Sequence, residues 1–123
     1  VSREEAVSEA EAPTLATRLY RGTVRSGQQV SASDGDLVVI GAVNAGAEVL
    51  AAGSIHVYGA LRGRALAGIH GNIQAGIYCR ELEAELLSVA GNYKRSEDID
   101  AQLLGRPAEV HFTKEQLEIK PLS

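Results

Sequence analysis

The chain has 123 residues, a net charge of −4 and 45% apolar residues, with one Phe, four Tyr and no Trp. This length suits one domain that folds around a core of aliphatic side chains. The charge balance argues against a nucleic-acid-binding protein, which would normally carry a basic surplus. The sequence also lacks the run of about 18 apolar residues that a transmembrane helix needs.

The first 21 residues are rich in Glu, Ala and Ser, and they contain Pro13. They have no convincing apolar face, which predicts a linker or tail that is disordered at least in part. The folded domain is predicted to comprise residues 22–123. Within it, residues 24–32 predict an incomplete first coil, because their apolar positions recur 19 residues later.

A repeat begins at Asp36 and extends to Cys79. Residues 36–43 match residues 54–61 in character at a spacing of 18, and a third copy begins at Asn72. Apolar residues recur every six positions, and again two positions further on, so each unit predicts a short strand and a corner. The residues at this spacing are predicted to point inward: Leu37, Val43, Val49, Ile55, Leu61, Ala67, Ile73 and Cys79. Leu37, Ile55 and Ile73 are predicted to form one interior column and Val43, Leu61 and Cys79 another, and Ile69 is expected to point inward too.

Three short strands per turn predict an all-β fold, a three-sided parallel β-helix of about four coils. Crossovers between parallel strands are normally right-handed, but six-residue repeats also occur in left-handed acyltransferase helices, so the spacing leaves the handedness open. Alternation turns Val38, Ile40, His56 and Tyr58 outward on one face. Because an apolar outer stripe usually marks an interface, this stripe predicts a dimer interface.

The chain after the repeat predicts a cap. Residues 81–89 alternate Glu with apolar residues, which predicts a strand with its acids outward. Ser96 precedes acidic residues, which predicts the N-cap of a short helix that stops at Gly105. Residues 109–119 alternate around a polar turn and predict a hairpin over the open end of the solenoid.

One corner stands out as a candidate binding site. The corner is formed by Arg25, Ser26, Gly27 and Gln28, and the predicted stacking places residues 44–48 and 62–64 above it. Together they form a candidate set with Arg, Glu and Gln side chains and with bare backbone at Gly27 and Gly46. One outward column is predicted to contain Arg25, Asn44, Arg62 and Arg80. Arginine is enriched where proteins bind each other, so the set suits protein docking. Ordinary corner chemistry explains the same residues about equally well.

The sequence predicts no catalytic centre, no metal site and no cofactor. His56, His70 and His111 have no accompanying acid or cofactor motif, and no Cys and His residues have metal-ligand spacing. Cys79 is expected to be a small core residue. A lone cysteine is compatible with a reducing cytosol. The chain is therefore expected not to be an enzyme.

Six segments resemble the C-terminal domain of MinC, the bacterial division-site inhibitor. They are residues 24–28, 36–39, 45–48, 53–59, 62–68 and 84–91, which are spread over residues 23–95. The resemblance implies a right-handed β-helix that forms a homodimer. It also implies binding of the MinD ATPase through the motif at residues 25–28, with Gly46, Glu48 and Arg64 at further contact positions.

The resemblance further implies a cytoplasmic protein that MinD recruits to the inner face of the cell membrane, without direct membrane contact. The family's N-terminal domain, which acts most directly on FtsZ, is missing here, and residues 1–21 would be the linker to it. The leading hypothesis is an adaptor that dimerises, binds MinD and brings an inhibitor of FtsZ ring assembly to the membrane. The alternatives are a bactofilin-like polymer subunit and a hexapeptide-repeat acyltransferase.

Overall fold

The computed structural model describes residues 16–122. Most of the predicted tail therefore lies outside the described residues. The strands are β1 (Arg18–Arg21), β2 (Gln29–Ala32), β3 (Leu37–Ile40), β4 (Glu48–Ala51), β5 (Ile55–Leu61), β6 (Arg64–Ala67), β7 (Gly76–Leu82), β8 (Leu86–Val89), β9 (Asn92–Arg95), β10 (Ala108–Thr113) and β11 (Gln116–Pro121). Strand β1 pairs with β3, so the sheet begins at Arg18 and not at the predicted domain start, Gly22.

Two sheets form two sides of the molecule. The first sheet has the strand order β1-β3-β5-β7-β10-β11, and the second has the order β2-β4-β6-β8-β9. The four successive strands β1, β3, β5 and β7 are parallel, as are β2, β4, β6 and β8. A narrow third side is formed where Val24, Val43 and Leu61 bridge each other. The predicted β-solenoid of about four coils is confirmed.

The interior is filled by aligned aliphatic side chains. Along β3 and β4, buried and half-buried residues alternate, as expected where one face of a strand lines a core. Leu37 aligns with Ile55 and Ile55 with Ile77, and all three are fully buried. Each inward side chain therefore packs between the equivalent residues of the neighbouring coils.

The third copy of the repeat departs from the predicted spacing. Ile55 aligns with Ile77, 22 residues later instead of 18, because residues 68–75 form a longer corner. Ile73 is 55% exposed and Ile69 is 37% exposed. The prediction that both residues point inward is wrong, since they lie in this corner and not in a strand.

The longer corner also shifts the register of β7. Cys79 is buried as predicted, but it aligns with Val57, whereas Leu61 aligns with Leu82. A bulge between Val57 and Ala60 absorbs part of the shift. The predicted column of Val43, Leu61 and Cys79 is therefore wrong at its last member.

The predicted short helix after Ser96 is replaced by two 3₁₀ turns, Ser96–Asp98 and Ala101–Leu103. Arg95, and not Ser96, is the N-cap of the first turn. Between the turns, Ile99 has an extended backbone and is 7% exposed. Ile99 belongs to the buried core, and its extended backbone interrupts any continuous helix.

The predicted C-terminal hairpin is confirmed. Strands β10 and β11 are antiparallel, and β10 also pairs antiparallel with β7, so the hairpin extends the first sheet beyond the last coil. Val110 of β10 and Leu117 of β11 are buried, so one face of the hairpin packs on the core. The hairpin turns at Lys114 and Glu115, which have positive φ angles of 51° and 72° although neither is glycine. None of the helical segments in the described part of the chain has the length and apolarity to cross a membrane.

Candidate functional site

Four turns stack along the edge between the narrow third side and the second sheet. They comprise residues 25–28, 44–47, 62–63 and 83–85. Gly27 N–H donates to the carbonyl of Gly46 at 2.9 Å, and Glu85 N–H donates to the carbonyl of Gly63 at 2.9 Å. The stack brings all seven candidate residues to one edge or to the adjoining ends of β4 and β6.

The first turn is fixed by its own backbone and by one side chain. Arg25 N–H donates to Oε1 of Gln28 at 2.7 Å, and Gln28 N–H donates to the carbonyl of Arg25 at 2.9 Å. Gly27 has a φ angle of 86°, which favours glycine. Residues 25–28 are all exposed. Because these bonds use only the backbone of Arg25, its guanidinium is not required for the shape of the turn.

Gly46, in the second turn, packs against Ser26 of the first turn. Its φ angle is 83°, and a Cβ added at Gly46 would clash with Oγ of Ser26. A larger residue at position 46 would therefore displace the Ser26 side chain and would be strained at this φ angle. Glycine at position 46 suits both the backbone of the second turn and its contact with Ser26.

Glu48 and Arg64 lie in one row across the second sheet. Gln29 aligns with Glu48, and Glu48 aligns with Arg64. Gln29 Nε2 donates to Oε1 of Glu48 at 2.6 Å, and Nε of Arg64 lies 3.9 Å from Oε2 of Glu48. The Arg64 side chain is 46% exposed, so this ion pair contributes little to stability. Its exposure leaves Arg64 accessible to a partner.

The predicted arginine column is wrong at its last member. Glu83 follows Arg62 at this edge, and Nε of Arg62 lies 2.9 Å from Oε1 of Glu83. Arg80 lies before this position, opposite the bulge in β5. The longer corner at residues 68–75 and the bulge together change which residue reaches the edge.

The site includes two further residues, Gln29 and Glu85, that the sequence did not indicate. Gln29 holds Glu48, and Oε1 of Glu85 accepts a hydrogen bond from Gly46 N–H at 3.3 Å. Beside them lies a groove of about 610 Å³ on the second sheet, lined by Arg64, Glu85 and Tyr93 among others. The alternation of Glu with apolar residues had suggested only a solvated face at residues 81–85.

The predicted dimer stripe lies on the outer face of the first sheet. Val38, Ile40 and His56 are half-buried there, and Tyr58 is 57% exposed. Leu19, which lies outside the predicted stripe, is 52% exposed and aligns with Val38. The stripe is therefore wider than predicted and begins on β1.

An aromatic cluster continues this stripe. The rings of His56 and Tyr78 are stacked at 4.8 Å, and His111 meets Tyr78 edge-on at 5.4 Å. Nε2 of His111 lies 2.8 Å from Oε1 of Glu109. Burial, and then the nearby charges of Glu109 and Asp36, raise the pKa of Tyr78. The Tyr78 hydroxyl therefore stays neutral.

The buried thiol of Cys79 does not suit nucleophilic chemistry. Burial raises the pKa of Cys79 to about 12, and a backbone hydrogen bond with Ala108 lowers it by less. The thiolate, which is the reactive form, is thus scarce at neutral pH. Among residues 16–122, no three His, Cys, Asp or Glu side chains come together in a group that could hold a metal ion.

Comparisons with known proteins agree on one family. A family model described as the C-terminal domain of the septum formation inhibitor MinC matches residues 18–122. A probable septum site-determining protein MinC from Rhodopseudomonas palustris is 50% identical over 110 residues, which cover 89% of this chain and 48% of that protein. Its counterpart from Aeromonas salmonicida is 51% identical over 113 residues, covering 92% and 48%. The chain spans about half the length of these relatives.

A solved structure is similar as well. It is described as the MinC:MinD cell division protein complex of Aquifex aeolicus. One chain of that complex matches with a TM-score of 0.77 and 32% sequence identity, and the match covers 87% of each chain.

Proposed function

The chain belongs to the family of MinC C-terminal domains, and from this premise we propose that it is a non-enzymatic adaptor that binds the MinD ATPase. The proposed docking surface comprises Arg25, Ser26, Gly27, Gln28, Gly46, Glu48 and Arg64. The similar chain in the Aquifex aeolicus complex, whose description names MinD, supports this choice of partner.

The exposed turn at residues 25–28 is the observation that carries the proposal. Its shape is set by Gln28 and by the contact with Gly46, and the bonds that fix the turn use only the backbone of Arg25. A guanidinium can form two parallel, charge-assisted hydrogen bonds with a carboxylate. A preformed turn loses little conformational entropy on binding, which favours affinity. We therefore expect Arg25 to pair with an acidic side chain of MinD.

The role in the whole protein follows from this docking. MinD bound at the membrane would recruit the adaptor from the cytoplasm, and membrane contact would be indirect. The adaptor would bring with it an inhibitor of FtsZ ring assembly. Because the chain spans about half the length of its relatives, action on FtsZ is proposed mainly for the N-terminal domain of the longer proteins.

The outer face of the first sheet is proposed as a homodimer interface. Val38, Ile40, His56 and Tyr58 would pack against the same residues of a second copy, as in a two-fold symmetric interface. The exposed Leu19 and Tyr58 support this proposal, since an apolar patch of this kind on a sheet face usually contacts a partner. A dimer would present two MinD-docking surfaces, which strengthens binding to MinD arrayed on a membrane.

The Arg25→Ala variant tests the proposed function. Binding to MinD should weaken by about 2 kcal/mol, or roughly 30-fold, because the residue contributes at hot-spot scale. The melting temperature should not change, since the guanidinium takes no part in the turn. The measurement is co-sedimentation with MinD, ATP and lipid vesicles.

Arg106→Ala is the matched control, because Arg106 is an exposed arginine outside the stacked turns. It should bind like the parent chain, which separates a specific contact from the loss of one positive charge. If Arg25→Ala sediments like the parent, Arg25 is only a corner residue and the docking surface lies elsewhere.

A further inference from the structure

Glu85 links two turns that are far apart in the sequence. Its carboxylate comes from the fourth turn of the stacked edge and accepts from the Gly46 N–H of the second turn, 39 residues earlier. The carbonyl of Gly46 in turn accepts a hydrogen bond from Gly27 N–H at 2.9 Å. Glu85 therefore acts on the residue that carries the Arg25 turn.

The third turn packs directly against the second. A Cβ at Gly63 would clash with the carbonyl oxygens of Asn44 and Ala47, so this close packing requires glycine at position 63. The third turn is also bonded to the fourth, since Gly63 accepts from the N–H of Glu85.

The backbone of Glu85 is held on both sides. Its N–H donates to Gly63 at 2.9 Å, and its carbonyl accepts from Ser96 N–H at 3.1 Å. Only the side-chain torsions remain to be ordered when the carboxylate binds Gly46. An ionised carboxylate is also a stronger acceptor for a backbone N–H than a neutral group.

We propose that Glu85 is a positioning residue of the docking surface: it holds the Gly46 turn in the conformation on which Ser26 and Gly27 rest. This inference rests on the proposed binding of MinD at that surface. Glu85 acts through Gly46 and the first turn. Its removal should loosen that turn without disturbing the core.

The test compares Glu85→Ala, Glu85→Gln and the control Glu81→Ala. Glu81 is an exposed glutamate on β7, so its removal deletes the same charge without touching Gly46. Two quantities are measured: hydrogen exchange at the Gly46 amide in the free domain, and co-sedimentation with MinD, ATP and vesicles. Arg25→Ala is included as the reference for the docking surface itself.

In Glu85→Ala, the Gly46 amide should exchange faster, and MinD binding should weaken about three- to tenfold, the scale of one net hydrogen bond. The melting temperature should stay close to that of the parent. Glu85→Gln keeps an acceptor oxygen and should restore most of both properties. Glu81→Ala should resemble the parent in both.

Three results would overturn the inference. If Glu85→Ala binds MinD like the parent while Arg25→Ala binds weakly, the docking surface is correct but Glu85 does not position it. A Glu85→Gln variant as weak as Glu85→Ala would show that charge matters and not the hydrogen bond. Parent-like binding by both Glu85→Ala and Arg25→Ala would instead refute the proposed function.

Discussion

Ile55→Ala is expected to lower the free energy of unfolding by about 3–4 kcal/mol. The substitution removes three carbon atoms from a fully buried side chain, which costs about 2.4 kcal/mol at about 0.8 kcal/mol per methylene. A cavity adds about 1 kcal/mol more, because Leu37 and Ile77 are fixed by their strands and cannot collapse into the space.

Ile73→Ala is the matched control for this substitution. Ile73 loses the same three carbon atoms, but it lies in the long corner and is 55% exposed. Its replacement should cost less than about 0.5 kcal/mol, as is usual for a surface residue. The difference between the two variants isolates burial from residue type.

Urea unfolding followed by far-ultraviolet circular dichroism measures both variants. Equal m-values would show that the shift in the midpoint reports stability. The reasoning is refuted if Ile73→Ala destabilises the domain as much as Ile55→Ala, because Ile73 would then lie in the core. A cost below about 1 kcal/mol for Ile55→Ala would be equally damaging.

Four further predictions concern other parts of the molecule. Ile40→Glu should give a folded monomer in sedimentation velocity, because an unpaired charge is costly in an apolar interface; an unchanged dimer would place the interface elsewhere. Glu115→Gly should raise stability by about 0.5–1 kcal/mol, since a φ of 72° favours glycine, and a lower melting temperature would contradict this. Cys79 has a pKa raised to about 12, so its alkylation at pH 8 should be at least about tenfold slower in the folded protein than in urea, and equal rates would refute the burial argument. Stability should also fall as the pH rises from about 9 towards 12, because only the unfolded thiol loses its proton there; Cys79→Ala should weaken this decline.

The period of 18 was sufficient to predict the solenoid and most of its core. Leu37 and Ile55 could be assigned to the interior because the strands of successive coils must stay in register. This requirement produces the regular spacing of apolar residues in the sequence. Corner length is not constrained in the same way. Residues 69–74 are exposed, and β5 and β7 still pair on either side of the corner, although their register shifts. No apolar pattern in the sequence signals this change.

The candidate site was predicted in part for the same reason. The turn at residues 25–28 and its neighbour Gly46 precede the long corner, and their stacking followed from the repeat. Glu83 and Glu85 reach this edge only after the register has shifted, so the regular repeat put Arg80 in place of Glu83. A hydrogen bond such as that between Glu85 and Gly46 depends on this shift.

The two hairpins that follow the coils differ from the parallel strand pairs in how quickly they can form. Strands β8 and β9, and strands β10 and β11, are joined by short turns, whereas the parallel pairs must each close a loop of about 20 residues. Hairpins form in about 1–10 μs, and non-local parallel pairing is far slower. We therefore expect the two hairpins to form before the coils when the unfolded domain refolds, and pulse-labelled hydrogen exchange should detect protection first in these hairpins.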